Sequence, residues 1–93
     1  MSGQPERRQV IYHGRVQGIG FRYTAAHIAQ SHAVTGFVKN LDNGSVKLVA
    51  EGSPDVLDRF LAEIASRMRP NVRRADVTSS PATGEFAAFD ITY

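Results

Sequence analysis

Val34-Thr35-Gly36-Phe37-Val38-Lys39-Asn40-Leu41-Asp42-Asn43-Gly44-Ser45-Val46-Lys47-Leu48-Val49-Ala50-Glu51 holds two β patterns on either side of an Asn-Gly pair. Asn and Gly tolerate the left-handed backbone that a tight hairpin demands, so Val34 to Asn40 predicts a strand and Ser45 to Glu51 its antiparallel partner. In the second strand Val46, Leu48 and Ala50 face one way, and Ser45, Lys47 and Glu51 the other. Each side of the hairpin leads into a helix pattern. Upstream, Phe21 to about His32 carries an apolar face of Phe21, Ala25, Ile28 and Ala29. Downstream, Ser53-Pro54-Asp55 is a helix start, with a capping hydroxyl, Pro in the first turn and an acid beside the dipole. Leu57, Phe60, Leu61, Ile64 and Met68 then recur at helical spacing until Pro70, with Asp55–Arg59 and Glu63–Arg67 as outward (i, i+4) pairs. Beyond the helices lie three more strand patterns: Arg8 to Val16, Asn71 to about Ser80, and an alternating Phe89, Ile91, Tyr93. The order βαββαβ plus a short C-terminal strand predicts a ferredoxin-like α/β sandwich of the α+β class. Both helices would pack on one face of an antiparallel sheet.

With 93 residues the chain has room for one domain, expected over 8–93 behind a flexible tail of residues 1–7. There is no Cys, which excludes disulfides, thiolate nucleophiles and zinc–cysteine sites. No apolar run approaches the ~18 residues of a membrane span. Met1 to Arg8 is polar and has no apolar signal core. A cytoplasmic monomer without a membrane partner is the expectation. The net charge is +2, and nine of the eleven cations are Arg. Arg67, Arg69, Arg73 and Arg74 crowd one stretch, where cations offset the C-terminal dipole of the second helix. So small a net charge is a weak footprint for nucleic acid. The third strand, Val46-Lys47-Leu48-Val49-Ala50, also lacks the stacked aromatics of an RNA-reading sheet. No nucleic-acid partner is expected.

Most catalytic chemistries find no residues here. No nucleophile-elbow pattern exists. His27 and His32 are five apart on one helix and point to different sides, while His13 lies on a strand, so they predict no metal site. Asp55, Asp58 and Glu63 fall on the outer face of the second helix. What remains is the loop Gly14-Arg15-Val16-Gln17-Gly18-Ile19-Gly20-Phe21-Arg22, joining a strand to a helix start. Glycines let successive N–H groups point inward, and the helix N-terminus adds its positive end, which together suit an anion. The loop lacks the Gly-Lys-Ser/Thr ending of a Walker loop, and Tyr23 stands where a dinucleotide fingerprint needs a third Gly. Arg22 sits in the first helical turn, where a cation opposes the dipole unless it forks onto an anion held by the loop.

Two of these stretches carry a family resemblance. Gly14-Arg15-Val16-Gln17-Gly18-Ile19-Gly20-Phe21-Arg22 resembles the first signature of the acylphosphatases. Gly36-Phe37-Val38-Lys39-Asn40-Leu41-Asp42-Asn43-Gly44-Ser45-Val46, closing at Gly52, resembles their second. Phe89-Asp90-Ile91-Thr92-Tyr93 is similar to their ending, so the likeness spans nearly the whole chain. Ile19 stands where the family usually has Val, and Tyr12 where an aliphatic residue is commoner. The resemblance implies a small, metal-free, cofactor-free hydrolase that cleaves the carboxyl–phosphate anhydride of acyl phosphates. It matches the family's essential Arg to Arg22 and its essential Asn to Asn40. The phosphate-binding loop matches Arg15, Val16, Gln17, Gly18, Ile19, Gly20 and Phe21.

The residues suit that task. The departing carboxylate has a conjugate acid of pKa about 4 to 5, so it leaves without protonation. Phosphoryl transfer then asks for positioning and charge stabilisation more than for acid–base groups. Asn40 ends the second strand, and its amide can both accept from and donate to an attacking water. Lys39 is expected to point away from Asn40 by strand alternation, and Arg15 to attract dianions from the loop's edge. Inorganic phosphate or sulfate is expected to compete for the loop.

Overall fold

The computed structural model describes residues 4–93; of the expected tail, residues 1–3 lie outside the described residues. The chain runs β1 (Glu6–Gly14), α1 (Phe21–Ala29), β2 (Thr35–Asn40), β3 (Val46–Gly52), α2 (Pro54–Met68), β4 (Val72–Pro81) and β5 (Phe89–Thr92). β1 begins two residues before the pattern suggests. α1 stops short of His32 because Gln30, Ser31 and His32 donate to carbonyls three residues back, in a tightened final turn. The hairpin turn forms as expected, with Gly44 at φ 93° and the Asn43 side chain accepting the Ser45 N–H at 3.0 Å.

The five strands lie in the order β4-β1-β3-β2-β5. Opposed residues share a face, and one row reads Val77, Val10, Leu48, Val38, Ile91 across the whole sheet. Phe21, Ala25, Ile28 and Ala29 of α1 are buried with Leu57, Phe60, Ile64 and Met68 of α2. Together with Val10, Val38 and Leu48 they form the core. Phe60 meets Phe89 edge-on at 5.5 Å between ring centroids, which ties α2 to β5. Ser53 occupies the N-cap position of α2 in an extended conformation, but its hydroxyl makes no capping bond; its carbonyl accepts from Leu57 N–H. Of the two (i, i+4) pairs expected on α2, Glu63–Arg67 forms at 3.6 Å.

β1, β2, β3 and β4 pair antiparallel as expected, and β5 makes the sheet mixed. β5 runs parallel to β2. The reason is topological: β4 ends at one edge beside the start of β1, and the chain must cross that end of the sheet to reach the other edge. Glu51 secures this crossing. Although it lies on the face opposite Val46, Leu48 and Ala50, it is only 5% exposed. Its carboxylate accepts from Arg7 Nε at 2.8 Å, Thr83 N–H at 3.0 Å, the Thr83 hydroxyl at 3.1 Å and Gly84 N–H at 3.0 Å. Burial opposes its ionisation, but these four donors outweigh burial and hold its pKa at about 2.

A folded-state pKa lowered from 4.5 contributes stability that is present above about pH 4.5 and lost as pH falls through about 2. Glu51→Gln is expected to lower unfolding stability by about 2 kcal/mol at pH 7, the scale of lost charge-assisted hydrogen bonds. Chemical denaturation at stepped pH should show the gap between variant and wild type closing between pH 4.5 and 2. A gap independent of pH would show that the charge is not the source.

Candidate active site

β3 lies between β1 and β2, and Val46 pairs with Tyr12 on one side and Asn40 on the other. The loop leaving β1 and the end of β2 therefore lie at the same end of the sheet. Two strand spacings, about 10 Å, separate them. The loop spans that gap. Gln17 reaches across it, and its side-chain NH₂ donates to Leu41 C=O at 2.7 Å and to Ser45 C=O at 2.9 Å. Both acceptors flank the hairpin turn that follows Asn40, so one amide fixes the loop against the strand end.

The loop's backbone is shaped by Gly18 and Gly20, with φ of 77° and 80°. Gly20 is the N-cap of α1 in the left-handed conformation, a position that strains any residue with a Cβ. The first intrahelical bond runs from Thr24 N–H to Gly20 C=O at 2.9 Å. The N–H groups of Phe21, Arg22 and Tyr23 come before it and have no intrahelical acceptor. No acidic side chain lies in this first turn to compete for them.

A pocket of about 180 Å³ opens here, lined by Val16, Gly18, Gly20, Phe21, Arg22, Tyr23 and Asn40. Of the residues expected from sequence, the fold thus brings together Arg22, Asn40 and four of the loop. Gln17 is not on the pocket wall and acts through its anchor to the hairpin. Ile19 and Arg15 are exposed and do not line the pocket; the Arg15 N–H is tied to Asn71 C=O at 2.9 Å. Lys39 lies with Phe37, Leu41, Lys47 and Thr92 along a separate cleft, away from Asn40 as alternation requires. Tyr12, one of the two departures from the family pattern, is buried with its ring 4.8 Å from that of Phe21, and so supports the helix start from below.

Two tyrosines complete the surroundings. The Arg22 guanidinium carbon sits 4.7 Å from the centroid of the Tyr93 ring, a cation–π contact that eases a cation at a helix N-terminus. The hydroxyls of Tyr23 and Tyr93 are 3.1 Å apart. That hydrogen bond raises the Tyr93 pKa, aided by the neighbouring phenol's charge and by burial, while Arg22 opposes the rise. The phenol is therefore neutral at pH 7. Sequence reasoning missed both residues, yet there was a signal for Tyr23: it follows Arg22 on a helix whose buried face excludes it.

The electrostatics are those of a site for an anion. Backbone N–H groups, an Arg and an Asn amide converge, and no carboxylate or imidazole lines the pocket. Comparison with known proteins agrees. The family model described as Acylphosphatase matches residues 8–91. An acylphosphatase of Arthrobacter sp. (strain FB24) is 39% identical over 93 residues, covering 99% of this chain and 85% of the relative. The crystal structure of acylphosphatase from Bacillus subtilis superposes with a TM-score of 0.85 at 32% identity, covering 95% of this chain and 99% of that one. Full-length HypF, in a phosphate- and nucleotide-bound form, matches over 97% of this chain and 12% of its own, with a TM-score of 0.84 at 29% identity. By its matched sequence, its fold and its near full-length relatives, this chain belongs to the acylphosphatase family of enzymes.

Proposed function

We propose that this pocket hydrolyses acyl phosphates to a carboxylate and inorganic phosphate without a metal ion, the chain acting as a monomer. The observation that carries the proposal is the meeting of Arg22, Asn40 and the glycine loop in one pocket lined by no carboxylate, imidazole or thiol. Arg22 forks onto two phosphoryl oxygens, and the N–H groups of the 15–21 loop take the rest of the charge. Arg15, at the loop's exposed edge, draws dianions toward it. Asn40 accepts a hydrogen bond from a water and aims its lone pair at phosphorus, in line with the acyl oxygen. The P–O bond to the acyl group breaks as the bond to water forms, and the carboxylate departs unprotonated. Both hydrogens of the water stay with the product, so an acyl phosphate dianion gives a carboxylate and dihydrogen phosphate. The pocket's donor set of amides and guanidinium offers no ligands of the carboxylate, imidazole or thiolate kind that hold divalent ions.

Turnover of acetyl phosphate is expected to survive exhaustive EDTA treatment. Activity that is lost and then restored by magnesium or zinc would overturn the metal-free mechanism. Inorganic phosphate at a hundred times its Kd should stabilise the fold by about 2.7 kcal/mol, read as a rise in Tm. A Tm indifferent to phosphate would make the loop a plain turn.

The two presumed catalytic residues should fail differently. Arg22→Gln is expected to weaken phosphate binding and slow turnover, with poor rescue by Lys, whose single ammonium cannot reproduce the planar fork. Asn40→Ala should keep phosphate affinity within a few-fold while kcat drops by about 10²–10³, the scale of one preorganised polar group. Calorimetry beside steady-state kinetics separates these, with circular dichroism as the folding control. A folded Asn40→Ala protein that turns over at the wild-type rate would remove the water-positioning role.

Gln17→Ala tests the anchor. Losing two hydrogen bonds should lower stability by about 1–2 kcal/mol. Loosening the loop against Asn40 should lower kcat by about 10²-fold, the penalty for ångström-scale misplacement. Stability lost without any change in kcat would assign Gln17 a purely structural part.

A further inference from the structure

The chain has two lysines, Lys39 and Lys47, and the fold sets them directly opposite each other on β2 and β3. Lys39 follows Val38, and Lys47 stands between Val46 and Leu48; all three neighbours are in the core. By strand alternation both lysines therefore lie on the face that the helices leave open. One row on this face runs Ile11, Lys47, Lys39, Thr92 across β1, β3, β2 and β5. Like charges opposite one another destabilise a sheet. Among the described residues no carboxylate relieves this pair: the ion pairs use Arg7, Arg8, His13, His32, Arg67 and Arg74 as cations, and neither lysine takes part. Asp90, opposite Phe37 on the same face, is not paired with them either. Lys47 Nζ lies 5.9 Å from the Phe37 ring centroid, at the limit of cation–π attraction. Both lysines are nevertheless half-buried, and with Phe37, Leu41 and Thr92 they line a cleft of about 200 Å³.

Two ammonium groups bring two positive charges and several N–H donors to one side of this cleft, and Thr92 adds a hydroxyl. Phe37 and Leu41 add an apolar wall, and Phe86 meets Phe37 edge-on at 5.8 Å. A dianion matches the charge, and a compact apolar body matches the wall. The volume is below the ~300–1,000 Å³ of sites that enclose drug-sized ligands, so the body must be small. A phosphate monoester, with a second pKa of about 6, carries nearly two charges at neutral pH. We propose that this cleft is a second, non-catalytic anion site that takes small phosphate monoesters bearing a compact apolar group. It shares no lining residue with the Arg22 pocket. Asn40 pairs with the core residue Val46 and so belongs to the helix face, while Lys39 lies on the other. The proposal does not depend on the hydrolase function above.

Phenyl phosphate is the probe, with phosphorus NMR to confirm that it stays intact. In amide-resolved NMR, Lys47 and Thr92 report the cleft, and Gly18 and Gly20 report the Arg22 pocket. Near neutral pH the wild-type protein should show saturable shifts at Lys47 and Thr92 with a Kd of their own. Lys39→Gln and Lys47→Gln should each weaken that Kd by about three- to tenfold, the scale of one half-exposed charge-assisted contact. Lys47→Arg keeps the charge and should keep most of the affinity, and Arg22→Gln should leave the cleft's Kd unchanged. Inorganic phosphate lacks the apolar body, and benzoate has only one charge, so both should bind the cleft more weakly than phenyl phosphate. Thermal melts are the folding control. If Lys47 and Thr92 never saturate, or saturate with the wild-type Kd in a folded Lys39→Gln, Lys47→Gln double variant, the cleft is not an anion site. Benzoate binding as tightly as phenyl phosphate would overturn the assignment of a dianion.

Discussion

Val46 makes two pairings at once, with Tyr12 on β1 and with Asn40 on β2. The site depends on this register. Because β3 runs antiparallel to both neighbours, β1 and β2 run parallel to each other, and their ends arrive together. A slip of one residue in either ladder would turn Val46, Leu48 and Ala50 out of the core, which they line with essentially no exposure. The hydrophobic row therefore enforces the distance between loop and Asn40. Gln17 converts that distance into a fixed geometry by bonding the carbonyls on each side of the hairpin. Side-chain chemistry at the pocket is thus set by packing several residues away from it.

The opposite end of the sheet matters to the same pocket by a longer route. Glu51 draws Arg7, Thr83 and Gly84 together and so holds the crossing between β4 and β5. Arg7 also lies 5.2 Å from the Phe86 ring centroid, and Phe86 meets Phe37 edge-on at 5.8 Å. This polar and aromatic seal sets where β5 begins, with Phe89 opposite Gly36, and hence where it ends, with Thr92 opposite Lys39. Tyr93 follows, at the end where Asn40 lies, and its ring meets Arg22. A buried carboxylate at one pole thereby bears on the placement of an aromatic ring at the other.

At the pocket itself the positive groups lack an acidic partner. A helix N-terminus and a guanidinium are both positive, and no acid lies in the first turn of α1. The Tyr93 face eases Arg22 without neutralising it. Some cations elsewhere have carboxylate partners: Arg8 reaches Asp58 at 2.8 Å, and Arg74 reaches Asp76 at 3.1 Å. Positive charge of this kind beside N–H groups without an intrahelical acceptor is what the proposed binding of a phosphoryl group would use.

The order of elements, the hairpin and the buried faces of both helices were legible in the sequence. They rest on local patterns: Asn43-Gly44 for the turn, and Phe21, Ala25, Ile28 and Leu57, Phe60, Ile64 for the helices. The loop could be read as an anion cradle because glycine spacing and Arg22 are local features too. Tertiary structure decided what depends on residues far apart in the chain. β5 lies parallel to β2 because the chain must cross the sheet end after β4, a fact of topology that no local period encodes. Glu51 sits on the face opposite Val46, Leu48 and Ala50, and only the returning segment at Thr83 and Gly84 buries it. Gln17 looked like one more residue of the loop until the fold brought Leu41 and Ser45 within reach of its amide. The same holds for Tyr23 and Tyr93, which are 70 residues apart and meet at their hydroxyls. Pattern and propensity reach only a few residues along the chain, whereas these contacts exist because the sheet closes over distances that only the folded chain defines.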